Sequence, residues 1–257
     1  EITTRLVGSE MCIRDRYDDD IFFQKYSQMS RSQQGLAGAG EWETLRKLLP
    51  DFKDKRVLDL GCGYGWHCIY AMEHGASSVV GVDISHKMLE VAKEKTHFPQ
   101  VEYKCCAIED VEFPEESFDV ILSSLAFHYV ADYEILVKKI YRILKSGGKL
   151  VFTVEHPVFT AYGTQDWYYN EKGEILHFPV DNYYYEGKRT AVFLGEKVTK
   201  YHRTLTTYLN TLLSNGFIIN HIVEPQPPEN MMDIPGMQDE MRRPMMLIVS
   251  ANKKVDR

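Results

Sequence analysis

Glycine occurs at alternating positions, Gly61, Gly63 and Gly65, directly after a short apolar run that contains Asp59. An apolar run that ends in such glycines is typical of a buried strand that turns sharply into a helix. Glycine permits positive φ and close approach of the backbone to a ligand, and the helix that follows offers unpaired N–H groups to an anion. The spacing predicts a ligand-binding loop, with a tight turn that binds nothing as the alternative.

The spacing of these glycines differs from the dinucleotide-binding pattern G-x-G-x-x-G. That pattern would put its third glycine at position 66, where the chain has Trp66. The segment D-L-G-C-G-Y-G instead resembles the first motif of class I S-adenosylmethionine-dependent methyltransferases. The resemblance implies methyl transfer with S-adenosylmethionine as cofactor. An NAD-type oxidoreductase and a protein that binds S-adenosylmethionine without catalysis remain the alternatives.

A second acidic residue, Asp83, closes the predicted strand 78–83, eighteen residues after Gly65. A carboxylate at this place can accept hydrogen bonds from both ribose hydroxyls of an adenosine. The alternative role of an aspartate here is to cap the next helix, but Ser85 is available for that. We therefore predict that Asp83 binds the ribose.

The resemblance implies further cofactor contacts. The stretch 107–130 resembles the family's next two motifs, which places Ile108 and Glu109 at the adenine, although Ala107 stands where most relatives have aspartate. A segment before the first motif covers the cofactor as a lid in this family. Tyr26 and Arg31 are therefore candidates for the methionine carboxylate, with solvated surface as the alternative. The predicted cofactor-binding set is Asp59, Gly61, Gly63, Gly65, Asp83, Ile84, Ile108, Glu109, Ser123, Tyr26 and Arg31.

Three histidines are candidates for a general base. Transfer of a methyl group from a sulfonium is an in-line displacement, so the protein mainly aligns the reactants and excludes water. A base is needed only where the acceptor must lose a proton. His128 follows the fourth predicted strand, His156 follows the fifth, and His202 lies further along the chain. The alternative for each is a hydrogen-bonded histidine without a catalytic role.

Three arginines are candidates for binding a carboxylate of the substrate, with surface salt bridges as their alternative role. They are Arg203, Arg242 and Arg243.

Strands and helices alternate along the chain. Strands are predicted at 57–60, 78–83, 101–105, 118–122 and 150–154, with helices between them, and a helix at 203–214 precedes two further strands at 217–223 and 245–250. Such alternation implies a parallel sheet with right-handed crossovers. We predict an α/β fold with a Rossmann-like doubly wound sheet, mostly parallel with an antiparallel C-terminal strand, plus a small β-rich cap insertion.

This reading divides the chain into an N-terminal lid and helix (17–55), a cofactor-binding core (56–155), a cap insertion (156–202), and a C-terminal helix with a closing hairpin (203–257). Ligands of open α/β sheets bind outside the carboxyl ends of the parallel strands. The lid, the cap and the loop 224–244 all emerge at that edge, which predicts an enclosed pocket. A few of the ten aromatic residues from Phe159 to Phe193 are expected to line it, and the others to form a self-packed cap or a dimer surface.

Residues 1–16 contain neither a helical period nor the apolar segment of a signal peptide. Their stretch LVGSEMCIRD resembles a translated sequencing adaptor. We predict a non-native tail, with an ordinary disordered tail as the alternative.

Net charge, the length of apolar runs and the spacing of cysteines indicate which kinds of partner the chain is expected to bind. The 257 residues carry a net charge of -7, so the chain as a whole has no electrostatic footprint for nucleic acid or an anionic membrane. No apolar run reaches the roughly 18 residues of a membrane span. The five cysteines show no zinc spacing, so no metal is predicted, and reduced thiols indicate a cytoplasmic protein.

We predict an enzyme that methylates O or N of a small molecule, with an aromatic or carboxylate-bearing acceptor as the expectation. Methylation of protein or RNA remains open, although the acidic balance and the enclosed cap weigh against RNA. The sequence makes no prediction of oligomeric state.

Overall fold

The computed structural model describes residues 16–255, so the predicted non-native tail, apart from Arg16, lies outside the described residues. The strands, in chain order, are β1 (Arg56–Leu60), β2 (Ser78–Asp83), β3 (Val101–Cys105), β4 (Phe118–Ser124), β5 (Leu144–Glu155), β6 (Tyr168–Tyr169), β7 (Ile175–His177), β8 (Gly187–Phe193), β9 (Glu196–His202), β10 (Phe217–Val223) and β11 (Met246–Lys253). Seven of them form one sheet in the order β10-β11-β5-β4-β1-β2-β3.

The helices lie on both faces of this sheet. They are α1 (Asp20–Ser27), α2 (Ser30–Gln33), α3 (Trp42–Arg46), α4 (Trp66–Glu73), α5 (His86–Lys95), α6 (Tyr133–Ile143), α7 (Pro157–Ala161) and α8 (Leu205–Ser214), with 3-10 turns at Gly35–Gly38, Phe127–Tyr129, Glu229–Met231 and Asp239–Arg242. None of the helices within residues 16–255 has both the length and the apolar character needed to cross a bilayer.

The pairing of the strands confirms the predicted fold class. β1 pairs in parallel with β2 and β4, whereas β11 runs antiparallel between β5 and β10. Successive side chains of a strand point to opposite faces. Val57 accordingly packs in the cluster beneath α3–α5, and Leu58 packs in the cluster beneath α6 and α8. The apolar run before the glycines is therefore buried on both sides, as a central parallel strand requires.

Several element boundaries differ from their predictions. β4 continues to Ser124, so Ser123 lies within the strand and not on the loop after it. β5 begins at Leu144 and not at residue 150, because Leu144 already pairs with Phe118 before an irregularity at Gly147, where φ is +73°. The helix expected within the N-terminal segment 17–55 is short and spans Trp42–Arg46. The predicted cap at Ser85 is confirmed, since its hydroxyl accepts the Met88 N–H at 3.1 Å.

The insertion after β5 is a small β-rich cap, as predicted. It contains α7 and two antiparallel hairpins, β6–β7 and β8–β9. The lid helix α1 lies against the second hairpin, since Phe22 is fully buried beside Ala191 and Val198. The lid and the cap therefore form one packed layer.

Candidate active site

The glycine loop needs glycine at two positions, each against a different neighbour. At Gly61, φ is +80° and an added Cβ would lie 2.4 Å from the Cβ of Ala126. At Gly65, φ is +75° and an added Cβ would lie 2.2 Å from the Tyr103 hydroxyl. Other residues rarely adopt such φ values, so both positions combine strain with overlap. The loop is thus held close to β3 and to the turn after β4.

Asp83 lies at the end of β2 with its carboxylate facing the same loop. Oδ2 accepts the Gly63 N–H at 2.8 Å, and Oδ1 accepts the Ser85 N–H at 3.0 Å. Burial raises the pKa of Asp83, and these backbone hydrogen bonds act against that rise. A carboxylate oxygen has two lone pairs, so each oxygen can accept one more hydrogen bond from a ligand.

A cavity of about 430 Å³ opens between the carboxyl ends of the strands and the cap. Its volume lies in the range of small-molecule sites. Its lining combines core, lid and cap residues, which are Tyr17, Tyr26, Gly61, Gly63, Asp83, Ile84, Met88, Ala107, Ile108, Glu109, Ser124, Leu125, Ala126, Tyr129, Val130, Ala131, Lys188, Thr199 and Tyr201.

A second cavity of about 70 Å³ adjoins the first, because Tyr26, Gly61, Gly63 and Ser124 line both. It is polar. Arg31 donates to Glu41 at 2.5 Å within its lining. Three buried polar atoms of the lining lack a hydrogen-bond partner, namely Ser32 Oγ, Glu41 Oε2 and Trp66 Nε1.

Unpaired buried polar atoms are rare in native proteins and call for a ligand or ordered water. The small cavity offers a carboxylate, a guanidinium, an indole N–H and a hydroxyl within one space. These groups are of the types that would pair with the ammonium and the carboxylate of an amino acid. The polar cavity and the Asp83 carboxylate together fit S-adenosylmethionine, which joins an amino acid to an adenosine.

The predicted cofactor-binding residues fall into two groups in the structure. Eight of the eleven line one or both cavities: Gly61, Gly63, Asp83, Ile84, Ile108, Glu109, Tyr26 and Arg31. The remaining three, Asp59, Gly65 and Ser123, lie outside both linings.

Asp59 and Ser123 are buried behind the loop. Asp59 accepts the Cys68 thiol at 3.6 Å, and burial raises the pKa of its carboxyl to about 7. Ser123 donates to the Leu60 carbonyl at 2.7 Å. Both residues thus contact the segments on either side of the glycine loop, Asp59 through Cys68 after it and Ser123 through Leu60 before it.

The three candidate histidines also lie outside the lining of both cavities, each with partners of its own. His128 is 2% exposed and accepts the Glu155 N–H on Nδ1 at 3.4 Å, and burial lowers its pKa to about 4. His156 caps α7 through Nδ1 and lies 2.9 Å from Glu224 through Nε2.

His202 lies beneath the cap, fully buried. Its Nε2 is 2.8 Å from the Tyr183 carbonyl and its Nδ1 is 2.7 Å from the Thr160 hydroxyl. Because a carbonyl can only accept, Nε2 donates and Nδ1 accepts. Burial lowers the pKa of His202.

Tyrosine supplies most of the polar groups at the cap end of the large cavity. The hydroxyls of Tyr17 and Tyr129 lie 3.4 Å apart. Burial raises the pKa of both, and it raises the pKa of Tyr26 to about 12. At neutral pH these side chains are therefore uncharged hydrogen-bonding groups with aromatic faces.

We expected a few of the ten aromatic residues from Phe159 to Phe193 to line the pocket, but none of the ten is among the described residues of either lining. Some pack within the cap, as in the stack of Phe159 on Phe178 with centroids 5.7 Å apart. Five others are exposed, namely Tyr162, Tyr168, Tyr169, Tyr184 and Tyr185. The aromatic residue of the cap that lines the large cavity is Tyr201, which comes later in the chain than the ten predicted residues. Thr199 and Tyr201 share one face of β9, opposite to the buried Val198, Lys200 and His202.

The three arginines have other partners in the structure. Arg203 is buried and donates to the carbonyls of Val130 and Ala131. Arg242 and Arg243 pair with acidic residues three positions earlier, and Arg243 lies 4.5 Å from the ring centroid of Phe159. The loop 224–244 thus packs on the cap and supplies none of the cavity-lining residues that the structure describes.

Sequence reasoning missed several lining residues, among them Glu41, Trp66, Tyr17, Tyr129, Thr199 and Tyr201. Tyr129 could have been predicted from the sequence, because it directly follows the candidate residue His128 on the same turn. The alternating pattern of β9 was visible, but nothing in it indicates which face meets the cavity.

The geometry agrees with the comparisons to known proteins. Residues 58–152 match a family model described as a methyltransferase domain. A Listeria monocytogenes crystal structure assigned to the S-adenosylmethionine-dependent methyltransferases is 58% identical, covers 86% of this chain and 99% of that chain, and has a TM-score of 0.82. The structure of a Mesorhizobium loti S-adenosylmethionine-dependent methyltransferase is 41% identical, with 85% and 100% coverage and a TM-score of 0.79.

A shorter match joins the chain to the ubiquinone biosynthesis O-methyltransferase of Coxiella burnetii. It is 36% identical over 112 residues, which are 43% of this chain and 47% of that relative. The chain thus matches about half the length of this relative. The full-length similarity to the two solved structures decides the family. The chain belongs to the class I S-adenosylmethionine-dependent methyltransferases, and S-adenosylmethionine is its cofactor.

Proposed function

We propose that this methyltransferase transfers a methyl group to a nitrogen or oxygen atom of a small molecule held between the glycine loop and the cap. One observation carries the proposal: Gly61 and Asp83 line the same cavity as Thr199 and Tyr201 of the cap. A cavity closed over by lid and cap suits a compact acceptor better than a polymer.

The residues of the cofactor end have separate tasks in this proposal. Glu41 and Arg31 hold the amino-acid end, Asp83 accepts the ribose hydroxyls, and Ile108 with Glu109 contacts the adenine. The bound cofactor supplies a methyl group on a sulfonium, which is already activated for transfer. The chain therefore contributes mainly alignment and exclusion of water.

The cap end limits which acceptor atoms can react. Among the described lining residues there is no imidazole, and the two carboxylates, Asp83 and Glu109, serve the cofactor. Tyr17, Tyr26 and Tyr129 stay protonated, because burial raises the pKa of each. We therefore infer an acceptor that is nucleophilic without a general base, such as a nitrogen or an ionised oxygen, in place of an aliphatic alcohol.

Similarity to the Coxiella burnetii ubiquinone biosynthesis O-methyltransferase supports a small-molecule acceptor. Because that match covers less than half of this chain, it supports the class of reaction and leaves the acceptor atom open.

The NAD-type alternative has a structural argument against it. Trp66 stands where a dinucleotide-binding loop needs its third glycine, and its indole lies 3.0 Å from a Cβ built on Gly35 of the lid. In the dinucleotide-binding loop this third glycine lets the helix pack closely on the strand, and the bulky ring of Trp66 does not meet that requirement. Isothermal titration with S-adenosylmethionine, S-adenosylhomocysteine and NAD tests this, and binding of NAD alone would end the proposal.

Replacing Asp83 tests the ribose assignment. Asp83→Asn keeps the shape but replaces one acceptor oxygen with a donor, so we expect about 100-fold weaker binding of S-adenosylhomocysteine. Glu102→Gln, on the neighbouring strand β3 and exposed, is the matched control and should bind normally. Full affinity in Asp83→Asn would remove the assignment.

Screening a metabolite extract with radiolabelled S-adenosylmethionine would identify the acceptor. We expect label in a nitrogen compound, a phenol or an acid of low molecular weight. Label found only in protein or RNA would contradict the small-molecule proposal.

A further inference from the structure

The N-terminal lid (residues 17–41) is joined to the core through the side chain of Asp18. Oδ1 of Asp18 accepts hydrogen bonds from the Ser85 hydroxyl at 2.6 Å and from the Lys87 N–H at 3.2 Å. Ser85 and Lys87 belong to the N-terminal turn of α5, so the carboxylate lies at the positive end of a ten-residue helix. These hydrogen bonds hold the pKa of Asp18 below its ordinary value, against the effect of its partial burial.

The same serine connects the lid to the cofactor site. The Ser85 N–H donates to Asp83 Oδ1 at 3.0 Å, and Asp83 Oδ2 accepts the Gly63 N–H at 2.8 Å. A continuous path of hydrogen bonds therefore runs from Asp18 through Ser85 and Asp83 to the glycine loop. Because Tyr17 lines the large cavity, the residue next to Asp18 lies directly over this path.

The opposite side of the lid is held by apolar contacts to the cap. Phe22 is fully buried beside Ala191 and Val198, and Lys25 donates to the Leu194 carbonyl at 3.0 Å. Tyr17 and Tyr26 line the cavity in this arrangement, so a movement of the lid away from the core or the cap would widen the exit for a bound ligand. The half-buried Asp18 contact can exchange with water at lower cost than the buried Phe22 contact.

We propose that Asp18 is a positioning residue that latches the lid to α5 over bound S-adenosylmethionine and thereby slows its release. It acts through Ser85 and Tyr17 and does not itself line either cavity. The inference rests on cofactor binding at Asp83 and is independent of the identity of the acceptor.

Release of S-adenosylhomocysteine from the full chain, measured by stopped-flow tryptophan fluorescence, tests the latch. Asp18→Ala should raise the dissociation rate about 5- to 10-fold, the effect of losing a charge-assisted hydrogen bond, with the association rate unchanged. The unfolding midpoint of the ligand-free protein should fall slightly, because the lost hydrogen bonds also stabilise the folded chain. Asp18→Asn retains an acceptor oxygen at the same place and should recover most of the slow release.

Asp20→Asn is the matched control, because the Asp20 carboxylate also reaches α5, through an ion pair with the side chain of Lys87, but is exposed. It should release ligand at the wild-type rate. In a Ser85→Ala background, Asp18→Ala should have a smaller effect, since the path through the hydroxyl is already broken. Equal acceleration by Asp20→Asn, or an unchanged rate in Asp18→Ala, would overturn the latch.

Two failures are distinguishable. If the wild-type protein does not bind S-adenosylhomocysteine, the cofactor site and the latch fall together. If it binds and Asp18→Ala releases it at the wild-type rate, the latch alone is wrong.

Discussion

The two ends of the large cavity are built in different ways. At the cofactor end, the backbone of the glycine loop and the end of β2 set the geometry, with Gly63 and Asp83 joined by a 2.8 Å hydrogen bond. At the cap end, side chains from inserted segments do so, and they depend on contacts such as the Lys200–Glu155 ion pair at 2.6 Å. Changes in the cap should therefore alter acceptor binding while leaving the cofactor end intact.

The largest expected effect comes from breaking that ion pair. Lys200→Met leaves Glu155 buried without its cation, and removing one partner of a buried pair costs about 3–5 kcal/mol. We expect this loss in urea unfolding, with unchanged affinity for S-adenosylhomocysteine measured on protein that is still folded.

The double variant Lys200→Met with Glu155→Gln is the control. It removes the unpaired charge as well, so most of the lost stability should return. A large loss of cofactor affinity in Lys200→Met would show that the two ends are not separate.

The second prediction concerns the pH dependence of stability and rests on His128, which is buried between the core and the cap. His128 has a pKa of about 4 in the folded chain, below the ordinary 6.5, because burial disfavours its charged form. Between these two values the unfolded state binds the proton more readily. This histidine therefore lowers stability as pH falls from about 6.5 to about 4, by up to about 3 kcal/mol.

Urea unfolding between pH 7 and pH 4.5 measures this loss. His128→Asn keeps an acceptor for the Glu155 N–H but does not titrate, so its stability should fall less over the same range. Parallel pH profiles for both proteins would contradict the prediction.

The third prediction tests the cofactor end through Glu41, which lines the small cavity. Glu41→Gln removes the carboxylate that we assign to the ammonium group of the cofactor, so S-adenosylhomocysteine should bind about 10-fold more weakly. Adenosine lacks the amino-acid end and provides a matched ligand, which should bind both proteins alike in isothermal titration. An equal loss for both ligands would mean that Glu41 acts through folding alone.

The smallest effect is expected at the face of β9 that carries Thr199 and Tyr201 and lines the large cavity. Tyr201→Phe removes one hydroxyl from the cap end, and we expect affinity for S-adenosylhomocysteine to change less than about twofold, since surface changes away from a contact are near neutral. Once an acceptor is found, its apparent affinity should fall in the same variant. Normal acceptor affinity combined with weaker cofactor binding would reverse the assignment of the two ends.

The cofactor end could be predicted from sequence because its parts are local. Strand, glycine turn and helix follow one another within residues 56–73, and Asp83 closes the neighbouring strand, so spacing alone brings them together. The histidines show the limit of this reasoning. His128, His156 and His202 lie near strand ends, but burial and nearby partners turn each away from the cavity.

The sequence by itself determined the α/β fold, the glycine loop and the acidic end of β2, because period, glycine spacing and strand order act over short distances. Only the tertiary structure decided that Glu41 pairs with Arg31, that Asp18 meets Ser85, and that Tyr201 in place of the earlier aromatics faces the cavity. These contacts join segments whose meeting depends on how lid and cap pack on the sheet. The packing of large inserted segments is set by the whole core, and no local pattern encodes it.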